Sequence, residues 1–348
     1  MTDPVAEVID LLQHLIRNAC VNDGTPGSGG ESRNADVLER YLGSGGFDLQ
    51  RYEPVPGRAS LLARIDGTDP GAPSLMLMGH TDVVPVNAER WREDPFGGEL
   101  IDGEVWGRGA VDMLNLTASM AVAFRRLARK GFRPRGTLSF LAVADEEALG
   151  THGAKWLTEE RREDVATDYV VTEVGGFRMP LPTTGGPKLP LSVAEKGTYW
   201  CRIVVRGTAG HASMPLRTDN ALVKAAEVIR RLDTYRPPVR LHESWRGFVE
   251  RLELPDEMRS ELLDPAGVEQ LGGSFPDLGI ARLVHASTHT TFAPTVVQGG
   301  VKTNVIPDRV ELQVDIRTLP ADTPDGIRAM LAEALGDLGA AVNVVADS

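Results

Sequence analysis

Cysteine is almost missing from this chain. Cys20 and Cys201 stand alone and far apart, so they offer neither a disulfide framework nor a thiolate zinc site, and neither has a case for catalysis. Long apolar runs are missing too: none approaches the ~20 residues that cross a bilayer. The first residues, Met1-Thr2-Asp3-Pro4, lead straight into an amphipathic pattern without the basic and apolar regions of a secretory leader. Basic charge is in deficit, 37 Lys and Arg against 49 Asp and Glu, a net −12 that argues against nucleic acid or an anionic membrane as partner. There is no internal repeat or low-complexity tract. The expectation is a cytoplasmic protein acting on a small molecule. At 348 residues the default is two domains.

What the sequence does have is a set of apolar segments that end abruptly in acid or imidazole. Leu75-Met76-Leu77-Met78-Gly79-His80-Thr81-Asp82 reads as a buried parallel strand carrying a His-x-Asp pair to the carboxyl edge of a sheet, where open α/β folds place their sites. Asp112 closes Gly107-Arg108-Gly109-Ala110-Val111. Glu146-Glu147 closes the strand Thr137–Ala144, and Glu173 follows Tyr169–Thr172 and precedes Gly175-Gly176. A degraded dinucleotide fingerprint at Gly107–Asp112 fails, because Asp112 would stand where a small residue is needed and would repel pyrophosphate. Each of these groups has a bland reading on its own: a structural histidine, a solvated helix start, a strand-end charge. Together they bring several possible metal-site groups to strand ends. A carboxylate beside His80 can hold its ring, as Asp82 would. Adjacent Glu146 and Glu147 diverge, so one can bind metal while the other takes a proton from water.

Helical spacing over Val5–Ile16 and a helix at Ser32–Leu42 precede a strand at Arg58–Ile65. A hairpin turns at Asp102-Gly103, a helix follows Asp112, and another covers Gly153–Glu160. Strands alternating with helices predict a mostly parallel, layered α/β domain over 1–194. From 195 the pattern becomes Thr198–Arg206 strand, Asn220–Leu232 helix, strands Thr295–Gly299 and Val310–Arg317, helix Pro324–Leu335 and strand Val342–Val345. That is a ferredoxin-like α+β unit over 195–348, interrupted by an irregular, charged, partly helical insert at about 237–290.

His80-x-Asp82, Asp112, Glu146-Glu147 and Glu173, at intervals of 32, 34–35 and 26 residues, resemble the zinc aminoacylase/carboxypeptidase family. That family includes acetylornithine deacetylase, succinyl-diaminopimelate desuccinylase and glutamate carboxypeptidase. Gly210-His211-Ala212-Ser213-Met214-Pro215 and Asn304-Val305-Ile306-Pro307-Asp308 extend the resemblance into the second half, and the long insert and the neighbourhood of His80 are similar to the carboxypeptidase S-like and amino-acid N-acyl hydrolase branches.

The resemblance implies a dinuclear zinc hydrolase, with cobalt or manganese as alternatives, that cuts an amide bond in a peptide or N-acyl amino acid bearing a free carboxylate. His80 and Glu173 would bind one zinc and Glu147 the other, with Asp112 bridging. Asp82 would orient His80, and Glu146 would activate a metal-bridging water as general base and later serve as acid. A cis peptide is implied at Asp112-Met113. His211, otherwise a turn histidine, would reach the oxyanion, commonly across a homodimer formed through the lid. Asn304 would lie beside substrate, and Arg317, otherwise a strand-edge charge paired with Asp315, would clamp the carboxylate. His14, His152, His242, His285 and His289 are read as structural.

The resemblance also implies a returning catalytic segment with one more histidine ligand. No histidine follows His289, and the sequence ends at Val345-Ala346-Asp347-Ser348, so the expectation is a truncated and impaired form. A reading from another class is a non-catalytic metal-binding or assembly module retaining the lid surface. A serine hydrolase is disfavoured, because no Ser sits in a complete Gly-x-Ser-x-Gly elbow.

Overall fold

The computed structural model describes residues 3–43, 47–173, 183, 185–186, 188–275 and 277–346. The Gly175-Gly176 pair noted after Glu173 lies outside them. The chain divides into two compact units, Met1–Val174 and Gly175–Ser348, earlier than the division after 194 read from the sequence.

In the first unit Asp3 caps α1 (Pro4–Arg17), accepting the Val5 N–H, with Pro4 at the first helical position. Helix α2 (Ser32–Leu42) follows. The strands are β1 (Asp48–Tyr52), β2 (Ser60–Ile65), β3 (Leu75–His80), the hairpin β4 (Glu99–Ile101) and β5 (Glu104–Trp106), then β6 (Leu138–Val143) and β7 (Tyr169–Val171). Between them lie α3 (Leu114–Arg129), α4 (Ala154–Glu160) and α5 (Arg162–Val165).

The main sheet runs β1-β2-β6-β3-β7. Its parallel part, β6-β3-β7, carries the strand ends of interest. Strand β2 pairs antiparallel with β6 and β1 antiparallel with β2, so the sheet as a whole is mixed. Alternate side chains serve opposite faces, as the two-residue period demands. Leu61, Ala63, Leu138, Phe140 and Ala142 pack with Leu15, Leu38 and Phe124 of α1, α2 and α3. Leu62, Met76, Leu141 and Val143 pack on the other face with Leu157 of α4. Being covered on both faces is why β3 and β6 read as continuous apolar runs.

In the second unit the order is β8 (Gly197–Arg206), β9 (Gly210–His211), α6 (Ala221–Thr234), α7 (Glu243–Arg251), α8 (Asp256–Leu262), α9 (Pro265–Ser274) and α10 (Leu278–Thr288). Strands β10 (Thr291–Gly299), β11 (Val305–Ile306) and β12 (Arg309–Thr318), helix α11 (Pro324–Leu335) and strand β13 (Val342–Ala346) complete it. The antiparallel sheet β10-β12-β8-β13 with α6 and α11 is the ferredoxin-like arrangement. Tyr199, Cys201, Ile203 and Val205 of β8 alternate inward against Val310, Leu312, Val314 and Ile316 of β12.

The insert corrects the sequence reading. It is not irregular but four successive helices, α7 to α10, with a core of its own around Trp245, Val249, Leu262, Val268 and Ile280. Three of its polar residues are caps: His242, Asp264 and Asp277 accept N–H groups of Trp245, Gly267 and Ile280. Among the described residues no helix is long and apolar enough to cross a membrane. Both cysteines are buried, and neither is in a disulfide.

Candidate metal centre

Strand β3 delivers the centre. Its parallel register against β6 sets His80 opposite Val143, so the chain that continues through Ala144 and Asp145 to Glu146 and Glu147 emerges beside the imidazole. On the other side Leu77 pairs with Val171, and Glu173 lies two residues beyond. The N-terminus of α3 supplies the third wall. Asp112 precedes Met113 through a cis peptide bond, as the resemblance implied, and Thr117 donates its hydroxyl to the His80 carbonyl at 2.9 Å.

His80 is 2% exposed. Its Nδ1 lies 3.0 Å from the backbone carbonyl of Asp82 and 3.6 Å from that residue's Oδ1. A carbonyl can only accept, so in the neutral ring Nδ1 carries the proton and Nε2 presents a lone pair. Nε2 is 3.2 Å from Asp112 Oδ1, 3.5 Å from Glu173 Oε2 and 3.8 Å from Glu146 Oε2. Two donor groups have ligand atoms within 4.8 Å of one another: His80, Asp112 and Glu173, and His80, Glu146 and Glu147.

The electrostatics fit a cation. Burial opposes charge on the ring, but the carboxylates of Asp112, Asp82 and Glu173 outweigh it and push His80 up to about 12. A proton on Nε2 thus sits where a metal would. Glu147 is pushed up to about 7, first by burial and then by the negative charges of Asp112, Glu146 and Asp82, against the pull of His80. Glu146 is raised by burial and by Glu173, Asp82 and Asp112, again against His80. Asp112, bonded to His80, is held low. Five carboxylates around one imidazole repel each other unless positive charge is supplied, and an imidazole with carboxylate oxygens suits a borderline divalent ion.

Asp82 faces away from the opening. It is fully buried, and its oxygens accept the backbone N–H groups of Glu146 at 3.2 Å and Glu147 at 3.0 Å. Beneath it lies a polar layer that the sequence reading missed: Asn22, Glu31, Arg58 and Asp145, all buried. The available signal was the Gly-rich segment Asn22–Gly30; in the structure Gly24, Gly27, Gly29 and Gly30 all have positive φ, and Gly29 lies close against the Arg58 guanidinium.

The remaining predicted residues lie in the second unit. His211 and Asn304 are brought together, since β9 pairs His211 with Val305, and the Asn304 carbonyl accepts the Ala212 N–H at 3.1 Å. The exposed His211 ring is held by Ser213, whose hydroxyl is 2.7 Å from Nδ1. Arg317 projects from β12, with Nε and one terminal nitrogen donating to Asp315 at 2.8 and 3.0 Å and the other to Thr198 at 3.3 Å. Its fork is thus engaged by Asp315, the pairing anticipated as the plainer alternative.

The fold, a layered α/β unit followed by a ferredoxin-like unit, is that of metal-dependent peptidases. Residues 193–343 match the model of a peptidase dimerisation domain, and residues 60–175 match peptidase family M28. A succinyl-diaminopimelate desuccinylase of Parvibaculum lavamentivorans is 34% identical over 236 residues, covering 65% of this chain and 55% of the relative. A human N-fatty-acyl-amino acid synthase/hydrolase is 30% identical over 282 residues, covering 80% of this chain and 56% of the relative. The crystal structure of an M20 family metallo-carboxypeptidase from Sulfolobus solfataricus superposes with a TM-score of 0.68 at 20% identity, covering 99% of this chain and 78% of that one. The chain belongs to the M20 peptidase family. It spans a little over half the length of the curated relatives it matches.

Proposed function

We propose that this chain carries the catalytic residues of a zinc-dependent hydrolase that cleaves the amide bond of a peptide or an N-acyl amino acid with a free carboxylate. The observation that carries the reading is the meeting of His80 Nε2 with carboxylate oxygens of Asp112, Glu173 and Glu146, 3.2 to 3.8 Å away, at one sheet edge. His80 and Glu173 would hold one ion, Glu147 the other, and Asp112 both. Bound there, a divalent pair would polarise the scissile carbonyl and make water acidic.

Glu146, with affinity for protons raised by burial, takes the proton of the attacking water on a carboxylate oxygen. It then passes that proton to the departing amine. Asp82, through its carbonyl, keeps the Nδ1 proton of His80 in place, so that Nε2 stays a ligand. In the second unit, His211 would donate to the carbonyl oxygen as negative charge develops there, from the other subunit of a homodimer. Asn304 would flank the substrate, and Arg317 would exchange Asp315 for the substrate carboxylate. Two buried cysteines outside any disulfide suit a reducing cytoplasm.

The test is a titration with zinc, cobalt and manganese, followed by a hydrolysis screen of dipeptides and N-acyl amino acids. Metal-dependent turnover that disappears in Glu146→Gln supports the proposal. Full metal loading of folded protein without turnover on any substrate supports the non-catalytic module instead.

A further inference from the structure

Asn22 sits where the chain leaving α1 meets the chain leaving β3. The Asn22 N–H donates to the Val83 carbonyl at 2.9 Å, and the Val83 N–H donates to the Cys20 carbonyl at 3.0 Å, so the backbones are fastened at Val83, directly after Asp82. The Asn22 side chain is 2% exposed and fully employed. Its Nδ2 donates to Asp82 Oδ2 at 2.8 Å and to Asp145 Oδ1 at 3.1 Å. Its Oδ1 accepts from Arg58 at 3.2 Å, from the Gly24 N–H at 3.1 Å and from the Ser28 hydroxyl at 3.3 Å.

The amide has one stable orientation. Reversed, it would set a carbonyl against two carboxylates and an NH2 against a guanidinium. Arg58, 6% exposed, enforces this direction and is itself held by Glu31 at 2.7 Å and Asp145 at 3.3 Å. A methyl group at Gly29 would overlap this guanidinium, so the loop is shaped to let the ion pair in. Apolar side chains would fill such a volume at less desolvation cost. A connected polar layer does what they cannot: it fixes directions.

The direction it fixes is that of Asp82, whose Oδ2 is shared between Asn22 and the Glu147 N–H while Oδ1 takes the Glu146 N–H. We propose that Asn22, oriented by Arg58, is a positioning residue that sets the Asp82 carboxylate and through it the Glu146-Glu147 backbone. This rests on the reading of Glu147 as a metal ligand and Glu146 as the base. Neither Asn22 nor Arg58 touches a ligand atom; both act at one remove.

The experiment measures zinc affinity of the full chain by competition with a chromogenic chelator, alongside thermal unfolding of the metal-free protein. Asn22→Asp, which replaces the donor with a like charge, is expected to weaken zinc about 10- to 100-fold. Asn22→Ser, which keeps a small polar group, weakens it less, and Arg58→Lys falls between. Where turnover is measurable, kcat drops and KM stays within about threefold, because substrate contacts are untouched. In an Asp82→Ala background the Asn22→Ser defect disappears, since its path runs through Asp82. Wild-type zinc affinity in folded Asn22→Ser and Arg58→Lys overturns the proposal, as does a defect that adds in full to that of Asp82→Ala. A wild-type chain that binds no metal refutes the functional reading, and this inference with it. Intact wild-type binding with indifferent variants refutes this inference alone.

Discussion

Asp82 Oδ2 accepts the backbone N–H of Glu147 at 3.0 Å, so a carboxylate on one strand end fixes the chain of another. Asp82→Ala removes that anchor along with the buried charge behind His80. The expected outcome is a 10- to 100-fold loss of metal affinity with the fold retained, read by metal titration and circular dichroism. Asp82→Asn is expected to be little better, because its NH2 would face N–H or NH2 donors already there.

Glu146 and Glu147 are neighbours with different expected roles, and isosteric substitutions separate them. Glu146→Gln should bind metal nearly as wild type yet lose roughly 10²- to 10⁴-fold in kcat, the usual worth of a general base. Glu147→Gln should instead bind less metal. Identical metal losses in the two variants would remove the distinction.

Gly79 precedes His80, and a Cβ there would run into the Thr117 hydroxyl and crowd the Met113 side chain. Gly79→Ala therefore pushes the start of α3 away from the end of β3. Overpacking of this kind costs about 1–3 kcal/mol. Because Thr117 holds the His80 carbonyl and Met113 adjoins Asp112, metal affinity should fall as well. Chemical denaturation of the metal-free protein reports the first effect and zinc competition the second.

Lys196 provides a pH test in the second unit. Burial, then the nearby Arg317, lower it to about 8 against the opposing charge of Asp315, while its ammonium donates to the His289 carbonyl at 2.7 Å. An unfolded lysine titrates near ~10.4. Below about pH 8 both states hold the proton and the cost of burying the charge is fully present. Between there and ~10.4 the unfolded chain binds a proton that the native one has released, so this group's contribution to stability rises with pH. Urea midpoints at pH 7.5 and 10 should show that rise in wild type relative to Lys196→Met. A variant difference that is flat or opposite in sign would contradict the assignment.

The parts legible in the sequence share a feature: their signal is local. The apolar run of β3 with its abrupt His80, the Asp102-Gly103 hairpin and the Asp3-Pro4 start of α1 are written within a few residues of themselves. The edge strand β1, Asp-Leu-Gln-Arg-Tyr, was missed because it has only one buried neighbour to satisfy and no apolar alternation. The insert looked irregular because its helices are short and their polar ends are dense in charge. Asn22 reads as part of a Gly-rich loop, Glu31 falls between that loop and the helix at Ser32, and Arg58 reads as the first residue of a strand; nothing near them in the chain announces burial.

Which residue types stand at the ends of which apolar segments was determined by the sequence alone, and with it the candidate donor set of His80, Asp112, Glu146, Glu147 and Glu173. That the set shares one opening was decided by tertiary structure, through the parallel registers that bring β6 and β7 alongside β3. So was the engagement of Arg317 by Asp315, and the burial of Asn22 against Asp82. The physical reason is range. Periodicity and capping act over a few residues, whereas a carboxylate's direction depends on donors contributed from dozens of positions away.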